Sequence, residues 1–180
     1  MKPSARPSTR PSAAPRSETQ RTRRIFDSGP RLFLDGRYYY RQVKDLAVNL
    51  CAAKTLSDDD WREYLYGSLA VAHELGHGPC LSLIAFTGAH PNAGQRRLSA
   101  KFMQDEKVRT IERVAILTES ELLRGAMTAF GWLMPKIKYR AFSPRDPAAA
   151  CAWLLEMGQF DEAAALEAWK DACKKLAVGW

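Results

Sequence analysis

Two histidines stand four residues apart in His73-Glu74-Leu75-Gly76-His77, a match to the HExxH pattern. On a continuing helix that spacing sets both imidazoles on one face, one turn apart. There they can hold zinc while the glutamate activates a water for peptide hydrolysis. In that reading the chain is a zinc metallopeptidase, with His73 and His77 as ligands and Glu74 as base. The surrounding residues point to a plainer role. Gly76, Gly78 and Pro79 predict a helix end inside the motif. The next segment, CLSLIAF, reads as a strand, and the one other histidine, His90, lies beyond it with no second motif around it. The motif then marks a helix C-terminus, where histidines sit near the negative end of the dipole. No metal or cofactor is expected.

Other residues suit binding better than catalysis. TGAHPNAG (87–94) precedes a predicted helix, as a phosphate loop does, but has neither the GxxxxGK[ST] spacing nor its lysine. Arg96 and Arg97 follow it and suit either an anion or a solvated basic face. Thr118-Glu119-Ser120 stands at the end of a predicted parallel strand, where α/β proteins bind ligands, although Ser120 also fits as a helix cap. Arg124-Gly125 falls inside the next predicted helix. Glycine there costs about 1 kcal/mol against alanine, which close packing on a neighbour would explain. Thr87, His90, Asn92, Arg96, Arg97, Thr118, Ser120 and Arg124 thus form a candidate binding surface, with no complete catalytic set among them.

The elements that must position these residues centre on 111–142. An apolar strand (113–117), an amphipathic helix (119–133), a stop at Pro135 and a second strand (137–142) make a βαβ unit, which implies parallel pairing. Upstream, RLFL and RYYYRQ flank Asp35-Gly36, a turn dipeptide, and 46–52 reads as a further strand, so residues 31–52 supply two or three strands on one side of the sheet. Ser57 with Asp60 resembles a capping box and opens a helix with Trp61, Leu65, Leu69, Ala72 and Leu75 inward. Residues 80–86 read as a central strand, and QRRLSAKFMQDE as a helix with Leu98, Phe102 and Met103 inward. Ser143-Pro144 is read as the start of another helix, which Gly158 closes, and Asp161 as the cap of a last helix over 161–176.

With 180 residues, 46% of them hydrophobic, the chain supports one domain with a real core. The net charge of +7 is localised: residues 1–24 hold seven basic residues and one acidic one, leaving the rest nearly neutral. That segment carries four prolines and no large apolar residue beyond Met1, so it reads as a disordered leader. Any polyanion contact belongs to it. The expected organisation is this tail and one α/β domain over 25–180. Four scattered cysteines, Cys51, Cys80, Cys151 and Cys173, are read as free thiols. The N-terminus has no apolar signal block and no run is long and apolar enough to span a membrane, so a cytoplasmic protein is expected.

RVAILTESELLRGAMTAFGWL, then IKYRAFSP and AACAWLL, resembles the SpoIIAA-like, STAS-type domains. NAGQRRL and the SDDDW helix start fit the same layout, so the resemblance extends over about 31–157 and is most distinctive over 113–155. It implies a small mixed or parallel sheet with helices mainly on one face, the helix over 161–176 being an addition. It also implies a non-enzymatic regulatory or scaffold module that binds another protein, as anti-sigma-factor antagonists bind a partner kinase. The family's switch is a phosphorylatable serine in an Asp-Ser turn at a helix start. Here the corresponding stretch is Thr87 to Asn92, which lacks that pair and offers Thr87 as its hydroxyl. A relation to lipid-carrier folds leaves room for an apolar ligand. Self-association, through the last helix among other routes, stays open.

Overall fold

A computed structural model describes residues 27–89, 91–105, 111–121 and 137–180. The tail over 1–24, His90, Arg124-Gly125 and most of the helix expected over 119–133 lie outside the described residues.

Six strands form one mixed sheet in the order of the chain: β1 (Arg31–Phe33), β2 (Tyr38–Val43), β3 (Leu46–Cys51), β4 (Leu81–Phe86), β5 (Arg113–Leu117) and β6 (Lys138–Phe142). β1, β2 and β3 pair antiparallel, and β3 to β6 run parallel. The four described helices are α1 (Asp58–Leu75), α2 (Ala93–Asp105), α3 (Pro147–Leu155) and α4 (Glu162–Lys175). The expected mixed sheet is present. α3 and α4 pack on one face of it and α1 on the other.

The alternation of strand residues explains the two layers. Tyr39, Leu46, Val48, Leu50, Leu81, Leu83, Ala85, Ala115 and Leu117 share one face and pack with Ala150, Cys151 and Leu154 of α3 and Ala165, Ala168, Trp169 and Ala172 of α4. Small residues on α4 let its backbone lie close to β2 and β3. Each fully buried leucine here contributes about 1.5–3 kcal/mol. Tyr40 and Ala47 turn to the other face and pack with Val71 of α1. The last helix therefore completes the core.

Local signals set most boundaries. Ser57 caps α1 by accepting from the Asp60 amide at 3.0 Å, and the Asp60 carboxylate returns the bond to the Ser57 amide at 2.8 Å. Gly76, at φ 76°, ends it. α3 begins at Pro147, later than the expected Ser143-Pro144. The 143–146 segment is a turn, with the Asp146 amide bonded to the Ser143 carbonyl, and Asp146 is the cap that accepts from the Ala149 amide at 3.1 Å. Asp161 caps α4 as read. The four cysteines form no disulfide with one another, and three of them are buried.

The described chain is pinned at its start. Arg41 donates from Nε to Asp27 Oδ1 at 2.9 Å and from Nη2 to Oδ2 at 2.5 Å. Burial alone raises the Asp27 carboxyl, and the Arg41 hydrogen bond, the Gly29 amide and the Arg41 charge outweigh it, leaving the group below its usual value. A depressed folded-state pKa contributes stability above the unfolded value and loses it as pH falls through the folded one. Asp27→Asn should therefore cost about 1 kcal/mol at neutral pH, with the gap to the parent closing as urea unfolding is repeated at falling pH. A gap independent of pH would refute this.

Candidate functional site

The parallel strands end level with one another. Cys51 pairs with Phe86, Ala85 with Leu117, and Leu117 with Phe142. The segments that leave these ends, beginning at 52, 87, 118 and 143, share the C-terminal edge of the sheet. Open α/β sheets generally place their binding residues at this edge.

Backbone hydrogen bonds fasten neighbouring segments together there. The Thr87 amide donates to the Cys51 carbonyl at 3.0 Å, Ala89 to Ala53 at 2.8 Å, and Thr118 to Phe142 at 3.0 Å. Gly88 is needed for this approach, because a Cβ at that position would lie 2.3 Å from the Ala53 oxygen. Thr87 itself is exposed. Beneath it, burial pushes the Cys51 thiol up, which leaves it an inert packing group.

Asn92 and Gln95 start α2 with a reciprocal cap. Asn92 Oδ1 accepts from the Gln95 amide at 2.9 Å, and Gln95 Oε1 accepts from the Asn92 amide at 3.0 Å. Gln95 is only 1% exposed, and its Nε2 donates to the Leu56 carbonyl at 2.9 Å and to Asp58 Oδ1 at 3.2 Å. The first turn of α2 is thereby tied to the first turn of α1. A second tie runs from Trp61 Nε1 to Ser99 Oγ at 2.8 Å. Arg96 and Arg97 are exposed on this braced turn, with Arg96 Nη1 donating to the Pro91 carbonyl at 2.6 Å.

After β5, Thr118 is buried and its Oγ1 accepts from the Ser120 amide at 3.1 Å, while Ser120 and Glu119 are exposed. Glu119 pairs with Arg145 at 3.1 Å. Thr87, Asn92, Thr118 and Ser120 thus come to one edge, with Arg96 and Arg97 beside it on α2. Asn92 and Thr118 spend their side-chain oxygens on local structure, and Thr87, Ser120 and Arg97 are exposed.

The HExxH residues lie at the opposite edge, where α1 ends. His73 sits exposed in the last turn, Glu74 pairs with Arg31 of β1, and Gly76 breaks the helix before His77. The His77 ring faces the Leu75 carbonyl through Nδ1 at 3.2 Å and the Lys44 carbonyl through Nε2 at 3.3 Å. The two imidazoles therefore do not share a helical face. No cluster of three or more His, Cys, Asp or Glu able to hold a metal occurs among the described residues.

Sequence reasoning missed three buried amides. Gln95 had a readable signal, since Asn92-x-x-Gln95 has capping-box spacing ahead of an amphipathic run. Gln42, whose Nε2 reaches the carbonyls of Lys44 and His77, and Asn49, bonded to Ser82, had only their polar type inside apolar strands.

A family model described as SpoIIAA-like matches residues 48–155, more than half of the chain. No curated protein and no solved structure matches it.

The close approach at Gly88 is open to a direct test. Gly88→Ala should destabilise the fold by about 1–3 kcal/mol, as other overpacking substitutions do. Chemical unfolding would measure it, and a variant within a few tenths of the parent would show that the two loops are not so tightly apposed.

Proposed function

Because the chain belongs to the SpoIIAA-like family, we propose that it is a non-enzymatic regulatory or scaffold module that binds another protein through the C-terminal edge of its parallel strands. What supports this reading is the family match over residues 48–155, together with the exposure of Thr87 and Ser120 just after strands that end at one edge and of Arg97 on α2. Residues 25–180 act as the single folded unit, working in the cytoplasm, with residues 1–24 as a basic leader. No helix in the described residues is long and apolar enough to cross a membrane.

The physical case is one of preorganisation. The loops after β3 and β4 are bonded through the backbone, the residue after β5 is bonded to the end of β6, and α2 is bonded to the first turn of α1 and the residue ahead of it. A surface held this way loses little conformational entropy on association, which favours specific binding. The exposed arginines add a charge pattern that a complementary acidic partner can read.

The leader supports a second reading. Its seven basic residues against one acidic make it a short polycation, suited to weak, salt-sensitive contact with nucleic acid or another polyanion.

Two measurements test these assignments. In quantitative affinity purification, the double variant Thr87→Arg with Arg97→Glu should recover the specific partner at least ~10-fold less than the parent, a loss of about 1.4 kcal/mol, with its melting curve unchanged. Equal recovery would move the interface elsewhere, and no enriched partner from the folded full chain would sink the proposal. For the leader, duplex DNA binding should fall steeply as salt is raised and should vanish when residues 1–24 are removed. Undiminished binding by the shortened chain would discard the leader as the contact.

A further inference from the structure

The border strand β6 carries a surface apart from Thr87, Ser120 and Arg97. By register, Lys138, Arg140 and Phe142 stand beside Arg113, Ala115 and Leu117 of β5. Ala115 and Leu117 pack toward α3 and α4, so the three β6 side chains lie on that face as well. β6 is the last strand of the described sheet, and α3 covers it incompletely. Phe142 and Trp153 are partly buried, Lys138 and Arg140 are exposed, and Met157, four residues beyond Trp153, is 50% exposed.

Rings and cations alternate along this surface. The Arg113 guanidinium lies over the Trp153 ring, 4.9 Å from its centroid. The Trp153 and Phe142 rings are 5.8 Å apart and tilted by 48°, and the Arg140 guanidinium lies over Phe142 at 5.2 Å. Arg113 is buried and fixed, its Nη1 donating to the Trp153 carbonyl at 2.7 Å and to Glu156 Oε2 at 2.9 Å. Arg113 and Glu156 thus offset each other, as do Arg145 and Glu119 farther along. Lys138 and Arg140 have no carboxylate partner among the described residues, which leaves the surface positive.

We infer that this surface binds a short single-stranded stretch of nucleic acid, with bases packed against Phe142, Trp153 and Met157 and phosphates beside Lys138 and Arg140. The alternation decides the class. A single strand offers a π-face and an anion with every nucleotide, and surfaces that hold it combine aromatic rings with cations. A duplex keeps its base faces stacked inside, so it meets only the cations. An acidic peptide run likewise uses the cations and leaves the rings uncovered. The basic leader attracts phosphate in general, but residues 1–24 contain no aromatic residue on which a base could stack. Because Thr87, Ser120 and Arg97 take no part, this assignment and the protein-binding edge fail independently.

NMR titration of the full chain tests the class with a thymidine oligonucleotide, an abasic strand of the same length and a polyglutamate peptide. The thymidine strand should give saturable shifts at the Trp153 indole and the Met157 methyl, with intermolecular NOEs to both. The abasic strand keeps the phosphates and loses the bases, and should bind at least ~5-fold more weakly, about 1 kcal/mol and the low end for one stacked base. The leader contributes alike to both strands, so their difference reports the rings. Lys138→Glu with Arg140→Glu should remove the Trp153 and Met157 shifts; should that variant fail to fold, the comparison of the two strands on the unaltered chain decides by itself. Equal binding of the two strands, or thymidine shifts confined to other residues, would overturn the proposal. Polyglutamate shifting Trp153 where the thymidine strand does not would give the surface to an acidic protein instead.

Discussion

Parallel strands cannot be joined by tight turns. Each of β3, β4 and β5 has to leave the sheet at one edge and return at the other, and the chain between must cross a face. This requirement sets most of the molecule. It carries α1 from the end of β3 to the start of β4, covering Tyr40 and Ala47 on the way. It also gathers the departing loops at a single edge. The antiparallel turns linking β1, β2 and β3 ask for no crossing, so those strands extend the sheet without adding a layer. The second layer comes from the chain after β6, which turns back as α3 and α4 and closes the face formed by Val48, Leu83 and Leu117.

The two faces differ in chemistry as well as in cover. The side toward α3 and α4 is aliphatic and closely fitted, to the point that a Cβ at Gly158 would lie 2.3 Å from Leu81 Cδ1. The side toward α1 is aromatic and hydroxylated: Tyr38 stacks on Tyr64 with centroids 4.4 Å apart, and Asn49, Ser82 and Gln42 are sunk beneath them. Fully satisfied buried amides specify a unique arrangement, and poorly satisfied ones are costly. Asn49 is satisfied on both sides, its Nδ2 donating to the Ala47 carbonyl and Ser82 Oγ and its Oδ1 accepting from the Tyr38 and Tyr64 hydroxyls.

The sequence made the framework readable because its signals were local. Ser57 and Asp60, Gly76 and Asp161 are start and stop signs whose meaning depends on neighbours three or four residues away. The apolar run 80–86 declared a central strand buried on both faces. The placement of α3 and α4 was not legible in the same way, since alternating apolar residues on both faces say that each face is covered and not by what. The candidate edge was half legible. Position after a parallel strand singled out Thr118 and Ser120, and the family resemblance singled out Thr87, whereas the brace from Gln95 to Leu56 spans 39 residues in sequence and has no local sign on the receiving side. HExxH illustrates the converse: a pattern of residue types was present, and a single left-handed glycine inside it removed the geometry that gives the pattern meaning.

The borders of the sheet carry a last consequence. β1 is three residues long and passes into a turn in which Leu34, Asp35 and Gly36 all have positive φ, and its Arg31 is held by Glu74. At the other border, β6 places Lys138 and Arg140 on an exposed strand. A stray strand approaching either side would find too few successive amides in register, or cations it must bury. Resistance to sheet-to-sheet growth is thus written into both borders.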